Sequence, residues 1–337
     1  MMRTGNSTLI FDRGVKITHT ANIVGTKEGN GPLADTFDII ADDDYFGQKT
    51  WEQAESEMQD RCIERLHAKA GTQSSNTDLL FSGDLVNQCA ASCNPAQSAA
   101  RAHLGLFGAC STMAESLLCA AAFVNAGYAD RAIALTSSHF STAERQFRFP
   151  LAYGSQRPPT AQWTVTGAGA AMVERGSGAG VYITHAYIGL PLDMGITDAN
   201  NMGAAMAPAA AQTIKGFLRD TNTAPDDYDL ILTGDLGKEG TKLLYTLLND
   251  EGISIESVHN DCGIMIYDID RQDAHAGASG CGCSAAVLTG KILSDMRGGR
   301  YHRVLFAGTG ALMNSTTVQQ GLPIVGVTHL IELEVRV

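Results

Sequence analysis

The chain has 337 residues, 24 basic and 36 acidic, for a formal charge of −12 with histidines neutral; 44% of it is hydrophobic and 18% charged. That composition supports a sizeable core and excludes a disordered tail. The acidic balance argues against a nucleic-acid partner, because phosphate affinity needs a basic face. In chain order, residues 1–6 lack the apolar core of a signal peptide. No uncharged stretch has the length and apolarity of a membrane span; the nearest, 158–173 and 276–290, are diluted by Gly, Thr, Ser and Gln. A soluble intracellular protein is expected. The eight cysteines are too sparse for a secreted disulfide scaffold. The close pairs Cys89/Cys93 and Cys281/Cys283 lack the second pair or histidine run of a zinc site, so buried free thiols, and no metal or cofactor, are expected.

A helical stretch over 51–70 precedes Asp78-Leu79-Leu80-Phe81-Ser82-Gly83-Asp84-Leu85, a short apolar run ending in Gly-Asp. Such a run reads as a buried parallel strand entering a loop. Gly108-Ala109-Cys110-Ser111 then opens a small-residue helix over 112–126, and Arg131-Ala132-Ile133-Ala134-Leu135 reads as the next strand. The same order returns: a helix over 206–220, then Asp229-Leu230-Ile231-Leu232-Thr233-Gly234-Asp235-Leu236, then Gly280-Cys281-Gly282-Cys283-Ser284. A helix over 285–296 and the strand Arg303-Val304-Leu305-Phe306-Ala307 complete it. The sequence therefore predicts a duplicated α/β fold with right-handed crossovers. The Gly-rich stretch 175–180 is the expected joint, dividing halves 1–175 and 176–337. The stretch 112–126 carries only Glu115 and 285–293 only Lys291, so both helices are expected inside the protein, between two sheets.

Cys110 is the sharpest chemical feature. It is predicted at the mouth of a buried helix, where unpaired N–H groups and the helix dipole stabilise a thiolate or a bound anion. A cysteine so placed suits nucleophilic acyl transfer, or is simply a small buried residue.

Gly108-Ala109-Cys110-Ser111-Thr112 resembles the nucleophile turn of the thiolase-like condensing enzymes, including β-ketoacyl synthase III. Thr166-Gly167-Ala168-Gly169-Ala170-Ala171-Met172-Val173 is similar to their D-G-A-G-A-A-V-L stretch, with Thr166 in place of the acid, and Ala278-Ser279-Gly280 resembles the thiolase G-A-S-G. The resemblance implies a five-layer αβαβα fold and a dimer. The chain departs from the family where the chemistry lies. Gly234-Asp235 stands where a synthase III has histidine, and Gly282 where it has asparagine. Those groups polarise the thioester and assist decarboxylation, which glycine cannot do. His275 approaches the thiolase G-H-P-x-G-A-S-G histidine but is one residue too close and lacks the proline. With the catalytic set incomplete, no enzyme activity is expected.

A closer resemblance covers most of the chain. The stretches 25–33, 105–112, 142–150, 202–211, 225–229 and 259–263 look like the stage V sporulation protein AD family. This implies a spore protein that binds dipicolinate (pyridine-2,6-dicarboxylate), possibly with calcium, and assists its uptake. It would work beside membrane proteins of the same operon, at the forespore inner membrane. A flat dianion needs donors at two edges. Candidates are the helix N–H groups at Cys110, a bidentate grip from Arg145 and Arg148, and the polar groups of His139, His259 and Asn260. Two other readings stay open: a condensing enzyme with Cys110 as nucleophile, and a docking scaffold with a vestigial pocket.

Overall fold

The computed structural model describes residues 2–98, 102–147 and 157–337. Stretches such as Ala132–Leu135 and Leu230–Thr233 bury side chains on both faces, which fixes them as strands inside a covered sheet. The first half supplies β1 (Val15–Val24), β2 (Leu79–Gly83), β3 (Ala102–Gly105), β4 (Arg131–Ser138) and β5 (Gly167–Arg175). The second supplies β6 (Gly180–Tyr187), β7 (Leu230–Thr233), β8 (His259–Asp261), β9 (Arg303–Leu312) and β10 (Val325–Arg336).

The strands are ordered β3-β2-β4-β5-β1 in one half and β8-β7-β9-β10-β6 in the other, so position for position the topology repeats. The directions repeat as well. In the first half β2 is parallel to β3 and β4, while β5 is antiparallel to β4 and β1. In the second, β7 is parallel to β8 and β9, while β10 is antiparallel to β9 and β6. The two sets join edge to edge where Val181 and Tyr182 pair with Ile17 and Lys16.

The repetition reaches single side chains. The Asp78 carboxylate accepts the backbone N–H groups of Asp130 and Arg131 at 2.8 and 2.9 Å; Asp229 accepts those of His302 and Arg303 at 2.6 and 2.9 Å. Arg131 then pairs with Glu174 at 2.5 Å, and Arg303 with Glu332 at 2.7 Å. Ile17-Thr18-His19 in β1 and Ile183-Thr184-His185 in β6 each hold a register shift between the Ile and the His.

Six helices complete the layers: α1 (Trp51–Ala70), α2 (Thr112–Ala126), α3 (Phe140–Phe147), α4 (Met202–Thr221), α5 (Gly237–Asn249) and α6 (Cys281–Val287). Helix α1 is capped by Thr50, whose side chain accepts the Gln53 N–H, and ends on Gly71 at φ 62, the left-handed residue that a C-terminal glycine supplies at little cost. It covers β1, β4 and β5 from outside, as α4 covers β9 and β10, with α2 and α6 between the sheets. The result is the αβαβα arrangement. Helix α6 starts at Cys281 rather than at 285, so the Cys-Gly-Cys stretch lies within its first turn. It continues through a π turn, Leu288–Ile292, into a last turn, Leu293–Arg297.

The helix nearest to a membrane span is neither stretch singled out from sequence. Residues Ala109–Ala126 meet the length and composition of a span, with 72% of the helix buried. Apolarity all round here reflects sheets on both sides of a core helix.

Candidate functional site

The site grows from the loops that follow the repeated Gly-Asp pair. After β7 the chain passes Gly234 and presents Asp235 inward, fully buried. Its Oδ2 accepts the Ser279 hydroxyl and the Gly280 N–H, each at 2.9 Å, and its Oδ1 accepts the Thr309 hydroxyl at 2.7 Å. The Cys110 thiol stands 3.7 Å from the Ser279 hydroxyl, within reach of the charge on this carboxylate. On the other side of the thiol, the turn leading into α2 is pinned by Ser111 and Thr112, whose hydroxyls donate to the carbonyls of Gly108 and Ala109 at 2.6 Å. Ala109 has φ 51, a left-handed conformation that is strained for a non-glycine residue and recurs at functional turns.

Burial, and then the Asp235 carboxylate, push the Cys110 thiol well above its ordinary range. A catalytic cysteine needs the opposite, a cationic or helix-dipole environment strong enough to expose a thiolate. Asn could not be restored at the second turn either: a Cβ on Gly282 would lie 2.3 Å from the Gly167 carbonyl oxygen and 2.6 Å from the Ser138 hydroxyl.

A second buried acid group follows the first-half copy of Gly-Asp. Asp84 accepts the Val86 N–H at 2.7 Å, the Ser92 N–H at 2.8 Å and the Ser92 hydroxyl at 2.6 Å. Glu55, from α1, accepts the hydroxyls of Ser137 at 2.9 Å and Thr142 at 2.7 Å. Gln59 ties the two together by donating to Ser92 and Ser137 at 3.1 and 2.7 Å. Burial, and then Asp84, push Glu55 up to about 8, so it holds a proton at neutral pH. Between the two acid groups lies Cys281, which donates to the Ser137 carbonyl at 2.9 Å and packs in one apolar group with Cys110, Leu85 and Ala143.

Phe147 leans on that group and also lines a cavity of about 370 Å³ with Asn87, Gln88, Phe107, Met313 and Asn314. Gln88 and its neighbour Cys89 both take left-handed φ values, 57 and 53, at this rim. The cavity thus has two aromatic residues and several neutral amide groups, and Phe147 links it to the apolar group that holds Cys110 and Cys281.

The sequence candidates fall in different places. Cys110 is central. His139 is buried with both ring nitrogens engaged: Nδ1 accepts the Ser141 N–H at 3.1 Å, and Nε2 meets the Asp44 carbonyl at 2.7 Å. Burial lowers its pKa, which keeps it neutral. His259 uses both nitrogens as well, on Thr233 at 3.0 Å and Tyr245 at 2.9 Å, and burial pushes it down to about 4. Asn260 is exposed and accepts the Asp261 N–H at 2.8 Å. Arg145 pairs with Glu52 and lies 5.5 Å over the Trp51 ring. Arg148 lies outside the described residues. His275 bonds the Pro158 carbonyl and Asp273, each at 2.9 Å. Asp235, Ser279, Thr309, Phe107 and Asn314 were not singled out as site residues from sequence; the repeated Gly-Asp was the signal that could have raised Asp235.

Two copies of one strand order, with a cysteine turn opening the central helix, define the thiolase-like class of folds. 3-Oxoacyl-[acyl-carrier-protein] synthase III from Aquifex aeolicus matches with a TM-score of 0.57 at 12% identity, covering 95% of this chain and 100% of that one. Cerulenin-bound OleA from Xanthomonas campestris matches with a TM-score of 0.60 at 12% identity, covering 96% and 98%. Likeness at such identity establishes the fold alone. The sequence goes further: residues 5–334 match the family described as Stage V sporulation protein AD. Stage V sporulation protein AD of Bacillus subtilis is 42% identical over 334 residues, 99% of this chain and 98% of that protein. The chain belongs to the stage V sporulation protein AD family.

Proposed function

We propose that this chain is a binding protein rather than a condensing enzyme, and that its ligand is dipicolinate. The observation that carries the reading is the Cys110 thiol buried 3.7 Å from the Ser279 hydroxyl, which itself donates to the buried Asp235 carboxylate. It keeps the position of a nucleophile in a setting that holds the proton on sulfur. What such a site retains is shape. Phe107 and Phe147 offer apolar surface for a flat ring, and the amides of Asn87, Gln88 and Asn314 offer neutral donors for carboxylates at its two edges. Calcium travelling with the ligand would offset charge without a dedicated protein site. As part of the same proposal, the protein acts in dipicolinate uptake at the forespore inner membrane, as a homodimer beside membrane proteins of its operon.

Calorimetric titration of the purified chain tests the binding. Dipicolinate should saturate it, with pyridine-2-carboxylate weaker by at least about tenfold, the value of one charged hydrogen-bonding edge. Equal affinity for the two compounds would contradict a two-edged site. Absence of saturable heat, with or without calcium, would contradict direct binding.

A further inference from the structure

A separate polar cavity of about 270 Å³ lies where the end of the α6 run crosses β1 and the last turn of α1. It shares no lining residue with the cavity that Phe107 and Phe147 line. Two irregularities sit beside it: the register shift after Ile17 in β1, and the π turn Leu288–Ile292. Both kinds of irregularity concentrate at functional sites because they re-aim side chains. Within the π turn, Gly290 is required by close approach, since a Cβ there would lie 2.8 Å from the Thr36 carbonyl oxygen.

Three carboxylates, Asp35, Asp38 and Asp295, and three cations, Lys69, Lys291 and Arg297, line the cavity. Four of these pair off: Lys69 with Asp38 at 2.9 Å and Lys291 with Asp295 at 2.5 Å. Arg65 and Arg300 add second cations at 3.7 Å from Asp38 and Asp295. Two charges are left over. The Arg297 guanidinium makes one hydrogen bond, to the Thr20 hydroxyl at 3.2 Å, and has no carboxylate partner among the described residues. Asp35 is exposed and makes neither a hydrogen bond nor an ion pair among the described residues.

A simple anion entering this cavity would meet Asp35, and a simple cation would meet Arg297. A small ligand carrying both charges, held within the one cavity they line, would answer both. The geometry points to a binding site for a small zwitterion of the α-amino-acid class, its carboxylate on Arg297 and its ammonium on Asp35. The volume suits such a ligand, lying near the lower end, about 300 Å³, of small-ligand cavities.

The test is calorimetric titration of the full chain with each of the common L-amino acids. At least one should saturate the protein, and its α-carboxamide and its N-acetyl derivative should each bind at least about tenfold more weakly, because each lacks one charge. Arg297→Gln and Asp35→Asn should each weaken the same amino acid by a similar factor. Asp35 is exposed, so Asp35→Asn reads the site independently of any folding defect in Arg297→Gln. Absence of saturation by every amino acid into the millimolar range would overturn the proposal. So would blocked derivatives that bind as tightly as the parent, or unchanged affinity in a folded Asp35→Asn chain.

Discussion

Asp235→Ala should cost about 3–5 kcal/mol of folding stability in urea denaturation, more than an ordinary core truncation of that size. The reason is the number of donors that converge on one carboxylate. Ser279, Gly280 and Thr309 all direct hydrogens at it, and all are buried. Alanine leaves each of them without water or protein to bond, and orphaned buried donors cost more than the bonds themselves contribute. Asp235→Asn keeps an acceptor on one side but turns an NH₂ group toward donors on the other, so an intermediate loss is expected. A loss below about 1 kcal/mol for Asp235→Ala would show that water or repacking satisfies the three donors.

The second large effect is on pH. Glu55 is fully buried and raised to about 8, with burial the main cause and Asp84 the next. A carboxyl group whose folded pKa lies above its unfolded value binds more protons when folded, so its stabilisation is complete below the unfolded pKa and is lost as pH rises through the folded one. Glu28, raised to about 7 by burial, and Asp261, raised to about 6 by burial, act in the same direction. His259 and His329, pushed down to about 4 by burial, act the other way as pH rises toward the ordinary histidine value, so the fall in stability should show between about pH 7 and pH 8, by up to about 1.4 kcal/mol per pH unit for each group titrating. At the acid end the sign reverses. Glu332, hydrogen-bonded by His185, Thr184 and Arg303, is held down to about 2, and its contribution is lost as pH falls toward that value. Urea midpoints across pH 4–9 read the curve, and Glu55→Gln should flatten its alkaline side. A wild-type midpoint that rises from pH 7 to pH 8 would contradict a protonated Glu55.

How far the sequence carries is clear from particular residues. The repeat of Asp78–Leu85 in Asp229–Leu236 announces two matching sheets because its conserved features are structural: an apolar strand flanked by an Asp that caps the neighbouring strand. A third echo, Ile17-Thr18-His19 against Ile183-Thr184-His185, marks matching register shifts and was equally visible. Cys110 is legible because a small-residue helix follows it. The meaning of Asp235 is not, since its partners Ser279 and Thr309 stand 44 and 74 positions away and meet it only through the fold. The partner of Arg145 is hidden for the same reason: it pairs with Glu52 on α1, and nothing near Arg145 in the chain predicts that. His139 and His259 illustrate a general limit. The partners that occupy both ring nitrogens of each are set by the fold and cannot be read from the chain.

The claim at the centre of this account is that the cysteine turn of a condensing-enzyme fold persists here without its chemistry. Intact-mass measurement of the purified chain after incubation with acetyl-CoA and longer acyl-CoAs at neutral pH tests it most directly. The expected result is an unmodified mass, because Asp235 and burial hold the proton on the Cys110 sulfur. Stoichiometric acylation, lost in Cys110→Ala and mapped to that residue, would contradict the account and return the protein to the enzymes whose fold it shares.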